Sequence, residues 1–279
     1  MKIKKRYIIL LLLLLLAVAF TVWVLIENKS IGVTEVTIES EKLPEDFSGY
    51  RIAQISDLHN ETLGEDNESL LTAIENGEPD IIVITGDMID SYDTDVDVAV
   101  SFAEKALEIA PCYYVEGNHE RRIPEESERL KSALLEMGVT VLSNESTTLT
   151  CGDAAAELIG LRDYSLSKYE KILPDLSALM PEEGFSIVLS HKPDFFSEYA
   201  ESGADLVLCG HAHGGQFRLP FIGGIVAPGQ GLFPKYTEGV YSEGDFNMVV
   251  SRGLGNSIIP LRVNNPPEIV IIELKKVEL

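Results

Sequence analysis

Five short apolar runs, each followed directly by residues that can bind metal ions, most constrain how this chain can fold. The runs are rich in valine and isoleucine and occupy residues 50–56, 80–85, 112–116, 185–190 and 204–209. Short β-branched runs of this kind are typical of strands that are buried on both faces of a sheet. They predict a sheet whose strands are separated by other elements along the chain.

Segments with a helical pattern lie between several of these runs, at 66–77, 95–109 and 125–137. Gly138 follows the last of them and is a suitable C-cap. Shorter strands without clear helices between them are expected around 139–160 and 239–274. Together these elements predict one α/β domain, in which a central sheet system is covered by helices.

Polar side chains follow each predicted strand, and all five histidines of the chain are among them. In open α/β sheets, ligands bind beyond the carboxyl ends of the strands, so these side chains are expected to lie close together. Incidental surface histidines would be scattered along the chain. The candidate site residues are Asp57, His59, Asp87, Asn118, His119, His191, His211 and His213.

Seven of these residues, all but His119, form a set of oxygen and nitrogen ligands that suits Mn²⁺, Fe or Zn²⁺. Seven ligands are too many for one tetrahedral ion but fit two ions that share a carboxylate. Asp87 follows a middle strand and is the natural bridge. Two ions about 3.5–4 Å apart can act on both sides of an in-line displacement at phosphorus.

Taken singly, most of these motifs have a purely structural explanation. Asp57-Leu58-His59 and Gly86-Asp87 could be turns, Asn118 could cap a helix, and His191 could be a core histidine. Gly210-His211-Ala212-His213 is less ambiguous, because alternate residues of an extended segment project the same way. The joint occurrence of all the motifs favours a dinuclear metal site.

The motifs D-x-H, G-D, G-N-H-E, a single histidine after a strand, and G-H-x-H occur in this order across residues 50–215. This pattern resembles the calcineurin-like metallophosphoesterases. The stretches "SHKPD", "GHAHGGQ", "VSRGLG" and "PPEI" further resemble a branch of exported or membrane-anchored bacterial members. The resemblance implies a β-sandwich of two mixed sheets, flanked by helices.

The resemblance also implies a role for each ligand. Asp57, His59 and His213 would bind one metal ion. Asn118, His191 and His211 would bind the other. Asp87 would bridge two divalent ions, Mn²⁺ above all with Fe or Zn²⁺ as alternatives, and a metal-bridging hydroxide would attack phosphorus.

Two residues beside Asn118 take further roles from the resemblance. His119 would not bind metal but would face the substrate, and would stabilise or protonate the leaving group. Glu120 stands where many members carry aspartate and is expected to hold the imidazole in place.

The first 26 residues predict a single-pass membrane anchor. The apolar run 7–26 spans about 30 Å as a helix, enough to cross a bilayer core. The basic segment 1–6 that precedes it favours a cytoplasmic N-terminus and a catalytic domain outside the cell membrane. Residues 27–48 would form a tether and an edge strand, and 49–279 the catalytic domain. A cleaved signal peptide is the alternative, since Ala17-Val18-Ala19 matches a cleavage pattern.

The formal net charge of −23 disfavours a nucleic-acid polymer as partner. An anionic small molecule or lipid could still bind if metal ions supply positive charge locally. No protein partner is predicted. The cysteines are Cys112, Cys151 and Cys209, and their spacing predicts no disulfide.

The C-terminal third offers weaker candidates. Arg252 could bind a substrate phosphate or pair with carboxylates, and pairing with surface carboxylates is favoured for Arg262. Arg121 and Arg122 could guard the pocket or lie on an exposed loop. Gln216 has no predicted role. Residues 223–241 are rich in glycine, proline and aromatics, and predict a packed irregular loop rather than a loop facing substrate or membrane.

The sequence therefore predicts a membrane-tethered, metal-dependent phosphoesterase. Its expected substrate is a lipid-linked phosphate or pyrophosphate, or another phosphoester of the cell envelope. A phosphodiesterase for released nucleotides and a non-catalytic metal-binding envelope protein are the alternatives. A metallo-β-lactamase pattern, HxHxDH, is absent because Gly214 and Gly215 follow His213.

Overall fold

The computed structural model describes residues 2–167, 171–256 and 260–278. Met1, the first residue of the predicted basic segment, and residues 168–170, 257–259 and 279 lie outside it. The α-helices in the described ranges are α1 (Lys2–Glu27), α2 (Glu68–Asn76), α3 (Val96–Leu107), α4 (Asn118–Arg122), α5 (Pro124–Met137), α6 (Ile172–Leu179) and α7 (Phe196–Ser202). The three predicted helices are confirmed as α2, α3 and α5. Gly138 ends α5 in the left-handed conformation with φ of 103°.

The strands of the first half are β1 (Gly32–Ser40), β2 (Arg51–Ile55), β3 (Ile81–Thr85), β4 (Cys112–Val115), β5 (Thr140–Val141), β6 (Glu145–Cys151) and β7 (Ala154–Gly160). Those of the second half are β8 (Ser186–Leu189), β9 (Leu206–Cys209), β10 (Arg218–Leu219), β11 (Gly223–Gly224), β12 (Val226–Ala227), β13 (Gly231–Leu232), β14 (Gly239–Glu243), β15 (Phe246–Val250) and β16 (Glu268–Lys276). The five predicted strands are confirmed as β2, β3, β4, β8 and β9, with ends within two residues of those expected.

Two six-stranded sheets contain the long strands, as the predicted sandwich requires. The first sheet has the order β1-β16-β2-β3-β4-β5 and the second has the order β14-β15-β9-β8-β7-β6. Both are mixed. In the first sheet β16 runs antiparallel to β2, while β2, β3 and β4 are mutually parallel. In the second sheet β14 runs antiparallel to β15, and β6 to β7. β7, β8 and β9 are likewise parallel, so β2–β4 and β7–β9 each present their carboxyl ends at one edge of their sheet.

Alternation along the strands explains why the chain forms two sheets with helices outside them. In β3, Ile81 and Val83 pack in the core between the sheets, whereas Ile82 and Ile84 pack on the outer face under α2, α3 and α5. In β9, Val207 similarly faces outward, toward α6 and α7. Successive side chains of a strand point to opposite faces, so a strand covered on both sides is apolar throughout.

Helix α1 is long and apolar enough to cross a membrane, and its residues 5–26 are exposed except for Val24. Its last turn contacts the rest of the protein. Val24 is buried, and the Asn28 side chain exchanges hydrogen bonds with the backbone of Arg262, at 2.8 Å to its oxygen and 2.9 Å from its nitrogen. The Asn264 N–H donates to Glu27 Oε2 at 2.7 Å. These contacts attach the end of α1 to the segment 262–264.

Candidate metal centre

The carboxyl ends of the strands bring all eight candidate site residues together. Those of the first sheet follow β2, β3 and β4, and those of the second follow β8 and β9. All eight side chains are buried. Burying so many ionisable groups costs free energy unless they are paired or bind metal ions.

Hydrogen bonds join the two sheets at this edge. Gln54 Nε2 in β2 donates to the Cys209 carbonyl oxygen at the end of β9, at 2.8 Å. The His211 N–H donates to the Asp57 carboxylate, at 3.0 Å from Oδ2. Because these bonds cross between sheets, they fix the separation of ligands that come from distant parts of the chain.

The backbone of the site is strained and crowded. Five of the seven predicted ligands, Asp57, His59, Asp87, His211 and His213, have positive φ values, between 47° and 68°. Such conformations are uncommon for residues other than glycine and cluster at functional sites. Gly210 is required for a different reason, because a Cβ there would clash with the Ser56 hydroxyl and the Asp57 carboxylate.

One ligand cluster consists of Asp87, His191 and His211. Asp87 Oδ2 lies 3.1 Å from His191 Nε2, which lies 3.1 Å from His211 Nδ1. His191 Nδ1 lies 2.8 Å from the Thr85 carbonyl oxygen, which can only accept, so Nδ1 carries a proton. In the neutral ring Nε2 then has a free lone pair, and the three candidate ligand atoms lie within 4.8 Å of one another. This geometry suits a metal ion.

The other cluster consists of Asp57, His59 and His213. Asp57 Oδ1 lies 3.4 Å from His213 Nε2 and 4.0 Å from His59 Nε2. His59 Nε2 is also 3.6 Å from Asp87 Oδ2, the oxygen that faces His191. Asp87 Oδ2 therefore lies between the two clusters.

Unpaired buried atoms test whether this donor set fits metal ions. Asn118 Oδ1 and His59 Nε2 are buried and, in the described part of the chain, have no hydrogen-bond partner. A buried acceptor without a partner costs about 1–3 kcal/mol. Ligation would satisfy Asn118 Oδ1 and His59 Nε2, so the residues present fit two divalent ions.

In the metal-free site His211, His213 and Asp87 have the protonation states that metal binding requires, whereas His191 holds a proton that an ion would displace. Burial lowers the pKa values of His211 and His213 well below the usual histidine value, so both are neutral at physiological pH. Burial also lowers the pKa of His191, but the negative charges of Asp87 and Asp57 outweigh burial and raise it to about 10. Burial raises the pKa of Asp87, yet the charge of His191 outweighs this and keeps the carboxyl ionised.

His119 lies beside the ligands at a small pocket. The Ser91 N–H donates to His119 Nδ1 at 3.0 Å, so the neutral ring carries its proton on Nε2. Burial lowers the pKa of His119 to about 4. Its Nε2 lies 3.4 Å from Arg122 Nη1, and both residues line the pocket together with Asn118 and Pro228. Two donors facing one pocket can bind an anion.

Glu120 does not hold the His119 imidazole, and that expectation was wrong. Its Oε2 accepts from the Asp87 N–H at 3.0 Å and the Gly117 N–H at 2.9 Å, and its Oε1 accepts from the Ile89 N–H at 3.1 Å. Glu120 thus fixes the loops that carry the candidate ligands Asp87 and Asn118.

Asp90 is a site residue that sequence reasoning missed. Its Oδ2 lies 3.4 Å from His59 Nδ1, and its Oδ1 lies 3.7 Å from His119 Nδ1. A carboxylate that faces Nδ1 of a histidine favours ligation through Nε2. Its position in the sequence, three residues after Asp87, could have indicated that Asp90 belongs to the site, but only the tertiary structure shows where its side chain points.

The four arginines are placed differently from one another. Arg252 pairs with Glu268 at 2.8 Å and Glu238 at 3.4 Å, so carboxylates occupy the guanidinium that was a candidate for substrate binding. Arg121 pairs with Asp163 at 2.7 Å, and Arg122 lines the pocket.

Arg262 is completely buried, and its predicted pairing with surface carboxylates was wrong. Its guanidinium donates to the carbonyl oxygens of Gly255 and, at 2.8 Å, Arg252. Its Nη2 also lies 3.3 Å from His213 Nδ1. Gln216, for which no role was predicted, holds the same segment by donating from Nε2 to the Leu261 oxygen at 2.6 Å.

The calcineurin-like phosphoesterase family profile matches residues 50–215, the region that contains every predicted ligand. The chain belongs to the calcineurin-like phosphoesterase family. Its membership agrees with the sandwich fold and with the clusters of candidate metal ligands. As a member, it is a metal-dependent hydrolase of phosphoesters.

Among relatives of this metallophosphoesterase, an uncharacterized metallophosphoesterase of Bacillus subtilis (strain 168), YkuE, is 38% identical over 261 residues, which cover 90% of this chain and 87% of YkuE. Phosphodiesterase YaeI of Escherichia coli (strain K12) is 32% identical over 235 residues, 81% of this chain and 82% of YaeI. A transmembrane protein with metallophosphoesterase domain from Danio rerio is 29% identical over 261 residues, 88% of this chain and 57% of that protein.

Proposed function

We propose that this chain is a dinuclear phosphoesterase that hydrolyses a lipid-linked phosphoester or pyrophosphate at the outer surface of the cell membrane. The observation that carries the chemical part is the position of Asp87 Oδ2 between two clusters of buried ligands, 3.1 Å from His191 Nε2 and 3.6 Å from His59 Nε2. A single-ion site would not need two such clusters.

In this proposal Asp57, His59 and His213 would hold one ion, Asn118, His191 and His211 would hold the other, and Asp87 would be shared by the two. Two bound divalent ions, with Mn²⁺ the first candidate, would supply Lewis acidity at phosphorus and a nucleophile at neutral pH. The backbone N–H of His119 donates to Asp87 Oδ1 at 2.8 Å, which leaves Oδ2 directed at the ligands. Glu120 keeps this loop in place.

His119 and Arg122 act on the substrate. The Nε2–H of His119 donates a hydrogen bond to the leaving oxygen as negative charge develops there. Arg122 Nη1, close to that nitrogen, contacts a phosphate oxygen. With Arg252 engaged by two carboxylates, Arg122 takes the substrate-binding role first considered for Arg252.

The membrane part of the proposal follows from how α1 meets the domain. Arg262 contacts both the end of α1 and the site, because its backbone N–H donates a hydrogen bond to the Asn28 side chain and its guanidinium lies beside His213. The basic segment before α1 favours a cytoplasmic N-terminus, so the site faces the outer surface. A metal centre held this close to a bilayer is suited to a phosphate on a lipid.

The test uses the full chain in lipid vesicles with Mn²⁺. The substrates are a polyprenyl pyrophosphate, a phospholipid diester, a soluble nucleotide diester and bis(p-nitrophenyl) phosphate. We expect the highest kcat/KM for a lipid substrate, with product release measured as phosphate or as the freed alcohol. Efficient cleavage of the nucleotide with none of either lipid would instead support a nucleotide phosphodiesterase. Metal-loaded protein that cleaves none of the four would support a non-catalytic metal-binding protein.

A further inference from the structure

We propose that two short hairpins beside the metal centre insert into the outer leaflet of the bilayer that α1 crosses. The hairpins are β10–β11, residues 218–224, and β12–β13, residues 226–232. We refer to them, with the adjoining Phe233, as the apolar hairpins. The inference rests on the proposed membrane anchoring by α1 and is independent of the proposed chemistry.

The apolar hairpins expose large hydrophobic side chains. Phe221, at the first tip, is fully exposed, and its neighbour Ile222 is 60% exposed. Leu232 and Phe233 at the end of the second hairpin are 71% and 67% exposed. Several large apolar side chains on adjacent loops, without a covering element in the described part of the chain, indicate a surface that binds something apolar.

The position of the apolar hairpins relative to α1 identifies a bilayer as the partner. The Arg218 N–H donates to the Val263 oxygen at 3.0 Å, next to Asn264, whose own N–H donates to Glu27 at the end of α1. The first hairpin and the membrane-crossing helix are therefore attached to the same short segment. A surface so close to the end of an anchor helix lies at the membrane interface.

The charge of this region also fits a lipid surface. Residues 217–237 contain no aspartate or glutamate, in a chain that carries 45 acidic residues; of their two basic residues, Arg218 pairs with Glu238, and Lys235 is exposed. Basic and aromatic side chains are favoured at the headgroup level, whereas carboxylates are repelled by anionic lipids. Phe221 and Phe233 can extend about 5–10 Å into the interface, as apolar residues of peripheral segments do.

The apolar hairpins are continuous with the metal centre. The chain enters them directly after the turn His213–Gly215, and the Ile225 N–H donates to the Gly215 oxygen at 3.0 Å. Pro228, within the second hairpin, lines the same pocket as His119. Insertion of the hairpins would bring the pocket mouth to the level of the lipid headgroups, so that a lipid-linked phosphate could enter while its chain stays in the membrane.

The experiment measures membrane depth in the full chain, reconstituted in phosphatidylcholine–phosphatidylglycerol vesicles. Single cysteines carry an NBD fluorophore in a Cys151→Ser background, because Cys112 and Cys209 are buried. Phe221→Cys reports on the first hairpin. Leu135→Cys is the matched control, since Leu135 is also apolar and 58% exposed. It lies on α5 next to β5, and β5 and β1 form opposite edges of the first sheet. Leu14→Cys, in the middle of α1, tests the anchor itself.

A nitroxide-labelled lipid should quench the label at 221 by at least about twofold and shift its emission to the blue, while the label at 135 changes little. Iodide in the water should quench in the reverse order. Equal quenching at 221 and 135, with the label at 14 quenched by lipid, overturns the inference and leaves the anchor intact. A label at 14 that lipid does not quench overturns the proposed anchoring instead. Energy transfer between labels at 221 on different molecules, without quenching by lipid, overturns the inserted-hairpin inference and shows that the apolar hairpins bind a second copy of the chain.

Discussion

Replacing the His119 side chain should separate substrate chemistry from metal binding. His119→Asn keeps an amide oxygen near the position of Nδ1, where it can accept from the Ser91 N–H, but lacks a donor at Nε2. The bond from the His119 N–H to Asp87 Oδ1 is made by the backbone, so it persists in the variant. Metal binding should therefore survive while the leaving oxygen loses its donor.

The expected magnitude follows from the charge that Nε2–H stabilises. A single hydrogen-bond donor to a developing oxyanion in a water-excluded site contributes about 10²–10³ in kcat, or about 2.7–4 kcal/mol. An alkoxide leaving group carries the most charge, so His119→Asn should lower kcat on an alkyl phosphodiester by about this factor. A p-nitrophenolate leaves readily without a donor, and the loss should be under about tenfold.

The assay compares kcat for both leaving groups at saturating Mn²⁺, with the metal content of each preparation measured in parallel. His119→Gln is the matched control, because its amide nitrogen lies nearer the original Nε2 and should restore part of the activity on the alkyl substrate. Equal losses on the two substrates would refute the role at the leaving oxygen. Loss of an ion from His119→Asn would show that His119 is a ligand, an alternative that its proximity to His59 and Asp90 makes chemically accessible.

Three further predictions concern the framework of the site. Because the pKa of metal-free His191 is raised to about 10, this residue carries an extra proton at pH 8 that Mn²⁺ must displace. Metal uptake, followed by calorimetry in two buffers, should release this proton, and His191→Ala should release about one proton fewer than the wild type. Glu120→Ala leaves three backbone N–H groups without their acceptor and should lower the free energy of unfolding by about 3 kcal/mol or more, with a smaller loss for Glu120→Gln. Unfolding in denaturant is followed by circular dichroism, and an unchanged midpoint for Glu120→Ala would contradict the hydrogen-bonding role. Gly210→Ala should weaken Mn²⁺ binding at least about tenfold, since its Cβ displaces Asp57. Gly203→Ala has open space around its Cβ but a φ of 83°, so it strains the backbone away from the site and should bind Mn²⁺ as the wild type does.

The sequence predicted the position of the site because strand ends are encoded locally. β-Branched runs such as 80–85 identify the strands, and the residue that follows a parallel strand lies at a known edge of the sheet. Asp87 and His191 could therefore be placed in one site, whereas the division of the ligands between two ions came only from the resemblance to the calcineurin-like metallophosphoesterases. The short helices α6 and α7 could not be predicted with the same certainty, because one or two turns show too little periodicity.

Loop residues were predicted less well because their contacts come from distant parts of the fold. Arg262 lies in a segment without periodic structure, and its burial is compensated by carbonyl oxygens 7 and 10 residues away. Nothing in the local sequence indicates that these oxygens converge. Asp90 and Glu120 differ from the ligands in the same way, since each acts through a side chain that reaches backbone or ring atoms of another loop.

The metal centre itself is tested most directly by the stoichiometry and magnetic coupling of bound Mn²⁺. The full chain is stripped with a chelator, titrated with Mn²⁺ and followed by elemental analysis, electron paramagnetic resonance and phosphodiesterase activity. Our account predicts two ions per chain, an exchange-coupled signal that appears together with activity, and loss of both coupling and activity in Asp87→Asn. Full activity with one ion per chain, or an uncoupled six-line spectrum at saturation, would contradict a centre bridged by Asp87.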